Sequence, residues 1–134
     1  MKRKQDKQQE VVFLNPRTCG IYKSGGTRFK TDPETGLHYD SWIEINPEAA
    51  RRLGIADGDL VWVESPVGKV KTKARLFAGT RPDCIHIPYG QGHKAYGRWA
   101  KDRGVNPNDL LVKECDFLGG FLSYYSTRVK VYKA

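Results

Sequence analysis

The stretch "LVWVESPVGKVKTKARLF", residues 60–77, reads as two strands joined by a tight turn. From Lys69 onward the alternation is strict. Val70, Thr72, Ala74 and Leu76 fall on one face, and Lys69, Lys71, Lys73 and Arg75 on the other. A period of two with one charged face predicts an antiparallel strand packed on one side and wet on the other. "LVWVES" (60–65) is its partner strand, and "PVG" is the connection.

Upstream, "SWIEIN" (41–46) sets Trp42, Ile43 and Ile45 around Glu44 and stops at Asn46. Asn46 is a good N-cap, Pro47 suits the first helical position, and Glu48 in the first turn meets the positive end of the helix dipole. "PEAARRLG" then makes about two helical turns and ends at Gly54, a favourable C′ residue. "IADGD" (55–59) is turn chemistry. Further upstream, "VVFLN" (11–15) reads as a strand that stops at Pro16.

Downstream, "CIHIP" (84–88) is a fifth strand and "TRVKVYK" (127–133) a sixth. Several short strands, one short capped helix and regular turn signals predict a mainly β fold, either a closed barrel or a sandwich. The 134 residues form one domain, long enough for a core without disulfide staples. The division expected is a basic disordered tail over 1–10 and a folded domain over 11–134. Neither an internal repeat nor an interdomain linker is visible.

A net charge of +8 favours an anionic partner. The charge is dispersed over strands, and neither a helix-turn-helix pattern nor RRM-type aromatics accompany it, so nucleic acid is not expected as a partner. No apolar run is long enough to span a bilayer, and the basic start lacks the apolar segment of a secretory signal. Direct membrane insertion is therefore not expected. The expected location is cytoplasmic, or outside the cytoplasm only as part of an exported complex. Cys19, Cys84 and Cys115 are widely spaced, and His38, His86 and His93 do not lie at zinc-ligand intervals from them, so no metal site is expected.

Two loops are unusually rich. "PRTCGIYKSGGTR" (16–28) combines glycines with Ser24, Thr27, Arg17, Lys23 and Arg28. Glycines let the backbone approach an anion closely, and hydroxyls and cations supply charge-assisted bonds to phosphate. "PYGQGHKAYG" (88–97) packs three glycines, two tyrosines, Gln91 and His93 into ten positions. Gln91 can donate and accept at once, and His93 serves either way by tautomer. Gly90 and Gly92 permit tight turns that aim those side chains. Asn106 and Asn108 in "GVNPNDL" can read an amide edge, although Asn-Pro-Asn-Asp is also ordinary turn chemistry. Arg98, Lys101 and Arg103 either face a phosphate or form a solvated surface. No residue forms a convincing nucleophile or acid–base pair. Cys19 is the nearest to a reactive group and has no base beside it in sequence.

The string "WIEINPEAARRLGIADGDLVWVESPVGKVKTKARLFAGTRPDCIHIPYGQGH" (42–93), followed by "GVNPNDLL" (104–111) and a final "TRVKVYKA" (127–134), resembles the C-terminal dinucleotide-binding domain of the molybdopterin oxidoreductases of dimethyl-sulfoxide-reductase type. The resemblance covers about residues 11–134. "RWAKDRGVN" (98–106) and "STRVKVYKA" (126–134) most resemble the polysulfide, thiosulfate and tetrathionate reductase branch. It implies a six-stranded double-psi β-barrel, like that of aspartate decarboxylase, with short helices. Such a barrel clamps part of the molybdopterin guanine dinucleotide cofactor, whose molybdenum or tungsten is held by the pterin dithiolenes and by other domains. The implied partner is a large catalytic molybdopterin oxidoreductase subunit, or the rest of the same enzyme.

The implied cofactor-binding residues are Thr18, Tyr22, Ser24, Gly25, Gly26 and Thr27 in the first loop, and Gln91, Gly92 and His93 in the second. Asn106 and Asn108 follow in the third, and Tyr124 and Tyr125 before the last strand. Where this chain carries "IYKSGGT", many relatives have a histidine-rich string. No catalytic residue is implied within the chain. The competing function is a stand-alone double-psi barrel used for protein interaction or substrate recognition, which would not need "YGQGH" or "GVNPN".

Overall fold

The computed structural model describes residues 11–17, 41–95, 101–121 and 126–134. Among the described residues there are six strands: β1 (Val11–Arg17), β2 (Trp42–Ile45), β3 (Leu60–Glu64), β4 (Lys69–Leu76), β5 (Cys84–Pro88) and β6 (Arg128–Lys133). One helix, α1 (Pro47–Leu53), follows β2, and a 3₁₀ turn spans Pro107–Leu110. The strands close into a barrel in the order β1-β5-β2-β4-β3-β6.

The pairing has an internal two-fold regularity. Exchanging β1 with β4, β2 with β5 and β3 with β6 carries each parallel pair (β1–β5 and β2–β4) into the other. It also exchanges the antiparallel pairs β1–β6 and β3–β4, and leaves β2–β5 and β3–β6 in place. Strand β5 is inserted between β1 and β2, while β2 is inserted between β4 and β5. This is the double-psi arrangement, and the chain reaches it because parallel neighbours cannot be joined by a hairpin.

Alternation decides which side chains fill the barrel. Ile43 and Ile45, Val61 and Val63, Val70 and Ala74, Ile85 and Ile87, and Val129 and Val131 are all buried. Thr72 occupies an inward position of β4 because its hydroxyl donates to the Ser41 carbonyl, which satisfies a polar group that burial would otherwise penalise. The outward faces carry charge. Glu44 lies in register between His86 and Arg75, with Oε2 3.3 Å from His86 Nδ1 and Oε1 3.8 Å from an Arg75 nitrogen.

Helix α1 forms as its sequence dictates. The Asn46 side chain accepts from the Glu48 N–H at 2.9 Å, and its amide donates to the Thr80 carbonyl at 2.7 Å. Gly54 ends the helix at φ +68°. Ala49 and Ala50 face the core, so α1 closes the barrel end where β2 finishes. Strand β1 departs from the sequence reading, running through Pro16 to Arg17. Among the described residues it is paired beyond Phe13 only with β5, and a strand paired on one side tolerates a residue without an N–H.

Candidate cofactor-binding mouth

Strand direction brings the end of β1 and the rich segment after β5 to one end of the barrel. β1 and β5 are parallel and finish together, with Arg17 in register with Pro88. The last residues of the two strands, Arg17 and Pro88, are therefore neighbours at one barrel end. β2 runs antiparallel to β5 and starts at that same end, and β4 is parallel to β2.

The segment after β5 is zipped to residues 101–106. The Gly92 N–H donates to the Arg103 carbonyl at 2.8 Å, and the Asp102 N–H to the His93 carbonyl at 2.9 Å. Gly90 and Gly92 have φ of +96° and +79°, values that favour glycine and suit the tight turns expected of them. At Gly92 the need is doubled. A Cβ there would fall on the Asn106 amide nitrogen and lie 2.6 Å from the Val105 carbonyl carbon. Gly104 (φ +66°) approaches equally closely, since a Cβ there would press on the Ser41 hydroxyl and come within 2.8 Å of Gln91 Cβ.

Ser41 ties this assembly to the barrel. Its hydroxyl accepts from the Val105 N–H at 2.9 Å and lies 3.3 Å from the Val105 carbonyl, to which it donates. Three segments distant in sequence thus meet: the start of β2, the Gln91 turn and the Gly104–Asn106 turn. Sequence reading missed Ser41 and Gly104, because the hydroxyl's partner is 64 residues away and no local pattern marks it. Removing the hydroxyl leaves a partly buried N–H without its acceptor, a loss of about 1–3 kcal/mol. Ser41→Ala is accordingly expected to lower the stability measured by denaturant unfolding by that amount. It should also broaden the amide resonances of Gly92 and Val105.

Gln91 is half-buried, with its Oε1 fully enclosed, whereas His93 is exposed at the rim. Asn106 caps the 3₁₀ turn. Its Oδ1 accepts from the Asn108 N–H at 3.1 Å, which uses one of its two lone pairs and leaves its side-chain NH₂ to donate elsewhere. Asn108 is exposed. The ordinary turn role of "NPND" is thus realised at Asn106, alongside whatever ligand role it has. Leu110 and Leu111 anchor the turn in the core. Lys101 and Arg103 are exposed on the same loop, and Lys94 lies 3.9 Å from Asp102. Trp42, at the start of β2, is buried, and its indole N–H meets no acceptor among the described residues.

Thr18, Tyr22, Ser24, Gly25, Gly26, Thr27, Tyr124 and Tyr125 lie outside the described residues, as do Cys19, Lys23, Arg28, Arg98 and the tail 1–10. Cys84 is partly buried, and burial pushes its thiol above the ordinary range, away from nucleophilic use. Among the described residues, no group of three or more His, Cys, Asp or Glu side chains is placed to hold a metal ion. Among them, too, no helix is long and apolar enough to cross a membrane.

A family model described as "Molydopterin dinucleotide binding domain" matches residues 11–128. The arsenate respiratory reductase molybdopterin-containing subunit of Chrysiogenes arsenatis is 41% identical over 114 residues, covering 78% of this chain and 13% of that protein. Its counterpart in Shewanella sp. (strain ANA-3) is 40% identical over 142 residues, covering 96% of this chain and 17% of the relative. The thiosulfate reductase molybdopterin-containing subunit of Salmonella typhimurium is 30% identical over 106 residues, with 78% and 14% covered. This chain therefore spans only 13–17% of the length of these relatives. Among solved structures, acetylene hydratase from Pelobacter acetylenicus superposes with a TM-score of 0.69 at 19% identity, covering 96% of this chain and 19% of that one. At that identity the likeness concerns the fold.

Proposed function

This chain belongs to the molybdopterin dinucleotide-binding domain family, and we propose that the mouth formed by Gln91, Gly92, His93 and Asn106 is where it holds molybdopterin guanine dinucleotide for a molybdenum or tungsten oxidoreductase. The observation that carries this reading is the close join at Gly92 and Gly104, which keeps side chains out and brings the Gln91 and Asn106 turns together on one barrel end.

The donor set fits such a ligand. A pterin is a flat heterocycle with donors and acceptors around its edge, and recognising it takes a few convergent polar groups. The Asn106 NH₂ is a donor, His93 at the rim serves either way by tautomer, and the Gln91 amide lies at the join between them. Lys101 and Arg103 suit the dinucleotide's phosphates. The buried Trp42 N–H is a further donor at this end that the described protein groups do not satisfy. When bound, the cofactor supplies the redox chemistry through its metal. The chain's own residues bind and orient it.

Thr18, Tyr22, Ser24, Gly25, Gly26 and Thr27 complete the cradle on this reading, because they follow directly in sequence on β1, whose last residue, Arg17, lies beside Pro88. Tyr124 and Tyr125 are assigned to it by resemblance. The remainder of the enzyme, continuous with this chain or a separate large subunit, provides the substrate site. Relatives named as arsenate and thiosulfate reductases favour oxyanion reduction as the reaction class. The polysulfide, thiosulfate and tetrathionate reductases are one branch within that range.

The test is an amide chemical-shift titration of the ¹⁵N-labelled chain with metal-free molybdopterin guanine dinucleotide. Shifts concentrated at Gly90–Lys94 and Val105–Asn108, with α1 unmoved, are the expected result. No shift, or shifts spread evenly over the barrel, would sink the assignment and favour a recognition module.

A further inference from the structure

Residues 116–121, "DFLGGF", form a turn organised by one side chain. The Asp116 carboxylate accepts from the backbone N–H groups of Leu118 (2.9 Å), Gly119 and Phe121 (2.9 Å). The main chain closes the turn as well. The Asp116 N–H donates to the Phe121 carbonyl at 2.9 Å, and the Gly120 N–H to the Asp116 carbonyl at 3.2 Å. Gly120 takes φ +67°, and the Phe121 ring lies over Gly119, where a Cβ would come within 2.8 Å of it. The same amides hold the Asp116 carboxyl below the usual carboxylate range, so the turn keeps its anchor down into mild acid.

This order presents apolar surface to water. Phe117 is 100% exposed, Leu118 95% and Phe121 78%, whereas the next most exposed large hydrophobic among the described residues, Val67, is at 58%. A free loop bearing two phenylalanines and a leucine would lower its free energy by collapsing onto the barrel. The hydrogen bonds of this turn prevent that and hold the side chains outward. Contiguous exposed apolar groups of this kind mark an interaction site, and rigid aromatics are the residues that dominate interface energy.

Size suggests the occupant: the part of the relatives that matches this chain is 13–17% of a far longer chain, so a large remaining body is available there for it to pack against. We propose that the 116–121 turn is a docking knob that inserts Phe117, Leu118 and Phe121 into an apolar pocket on the catalytic remainder of a molybdopterin oxidoreductase. The partner's identity rests on the family reading above. The knob's role rests on the turn itself.

Two measurements test it in the full chain assembled with that remainder. Photo-reactive p-benzoylphenylalanine at position 118 should cross-link to molybdopterin oxidoreductase sequence outside the barrel, and the same group at position 51 on α1 should not. An adduct with a second copy of this chain, with lipid, or with nothing would overturn the proposal. The triple variant Phe117→Ser/Leu118→Ser/Phe121→Ser should keep its Tm within about 2 °C, since exposed substitutions change stability little. Its association with the remainder should weaken roughly 100-fold. Unchanged association would also overturn the proposal. The cofactor-induced shifts should persist in the triple variant, so their absence from the unmodified chain would count against the cofactor reading alone.

Discussion

Gly92→Ala is expected to lower affinity for molybdopterin guanine dinucleotide by about 100-fold and to destabilise the domain by roughly 2–4 kcal/mol, combining left-handed backbone strain with overpacking. Gly92 has φ +79°, and a methyl group there would occupy the space of the Val105–Asn106 peptide. The Gln91 turn would have to move away from Asn106, opening the join that aligns the polar groups. Gly58→Ala separates the two causes. Gly58 has φ +80° but nothing within 4 Å of where a methyl group would sit, so it should cost about 1–2 kcal/mol and leave cofactor affinity unchanged. Denaturant midpoints and the amide titration check both variants. Equal cofactor affinity in the two would refute the role given to the join.

Ile45→Ala is expected to cost about 2–5 kcal/mol, the range for truncating a fully buried aliphatic side chain. Ile45 is completely buried, in register with Leu76 of β4 and Ile85 of β5, at the strand where the two psi halves interlock. A barrel interior is fixed by six backbones and has little freedom to collapse into a void. Natural domains of this size are stable by only about 5–15 kcal/mol, so the loss is a large fraction of the total. It should appear as a fall in Tm of about 10–20 °C. Leu60→Ala, at a half-exposed position at the start of β3, should change stability by less than about 1 kcal/mol.

Much of the fold is legible in the chain's local patterns. The alternation of 69–77 places Val70, Thr72 and Ala74 inward, and they are buried. Asn46, Pro47 and Gly54 mark both ends of α1 correctly. Such features depend on neighbours within a few residues, where side-chain period and backbone preference act directly. Legibility falls where one residue serves two demands. Pro16 reads as the end of a strand, yet β1 continues to Arg17 because its missing N–H is tolerated where the strand is paired on one side only. Asn106 reads as a ligand or a turn residue, and its oxygen is committed to the turn.

The sequence by itself determined the strands, the helix and its caps, the glycine-dependent turns and, through its ordered motifs, the family. Only the tertiary structure decided that β5 lies between β1 and β2, that Arg17 and Pro88 end their strands side by side, and that Ser41 joins two turns to that mouth. It alone revealed that "DFLGGF" is held as a projecting apolar turn. The physical reason is distance along the chain. Periodicity and capping are local, whereas the β1–β5 pairing and the Ser41–Val105 contact, the latter across 64 positions, join segments far apart, and nothing in either short segment encodes its partner.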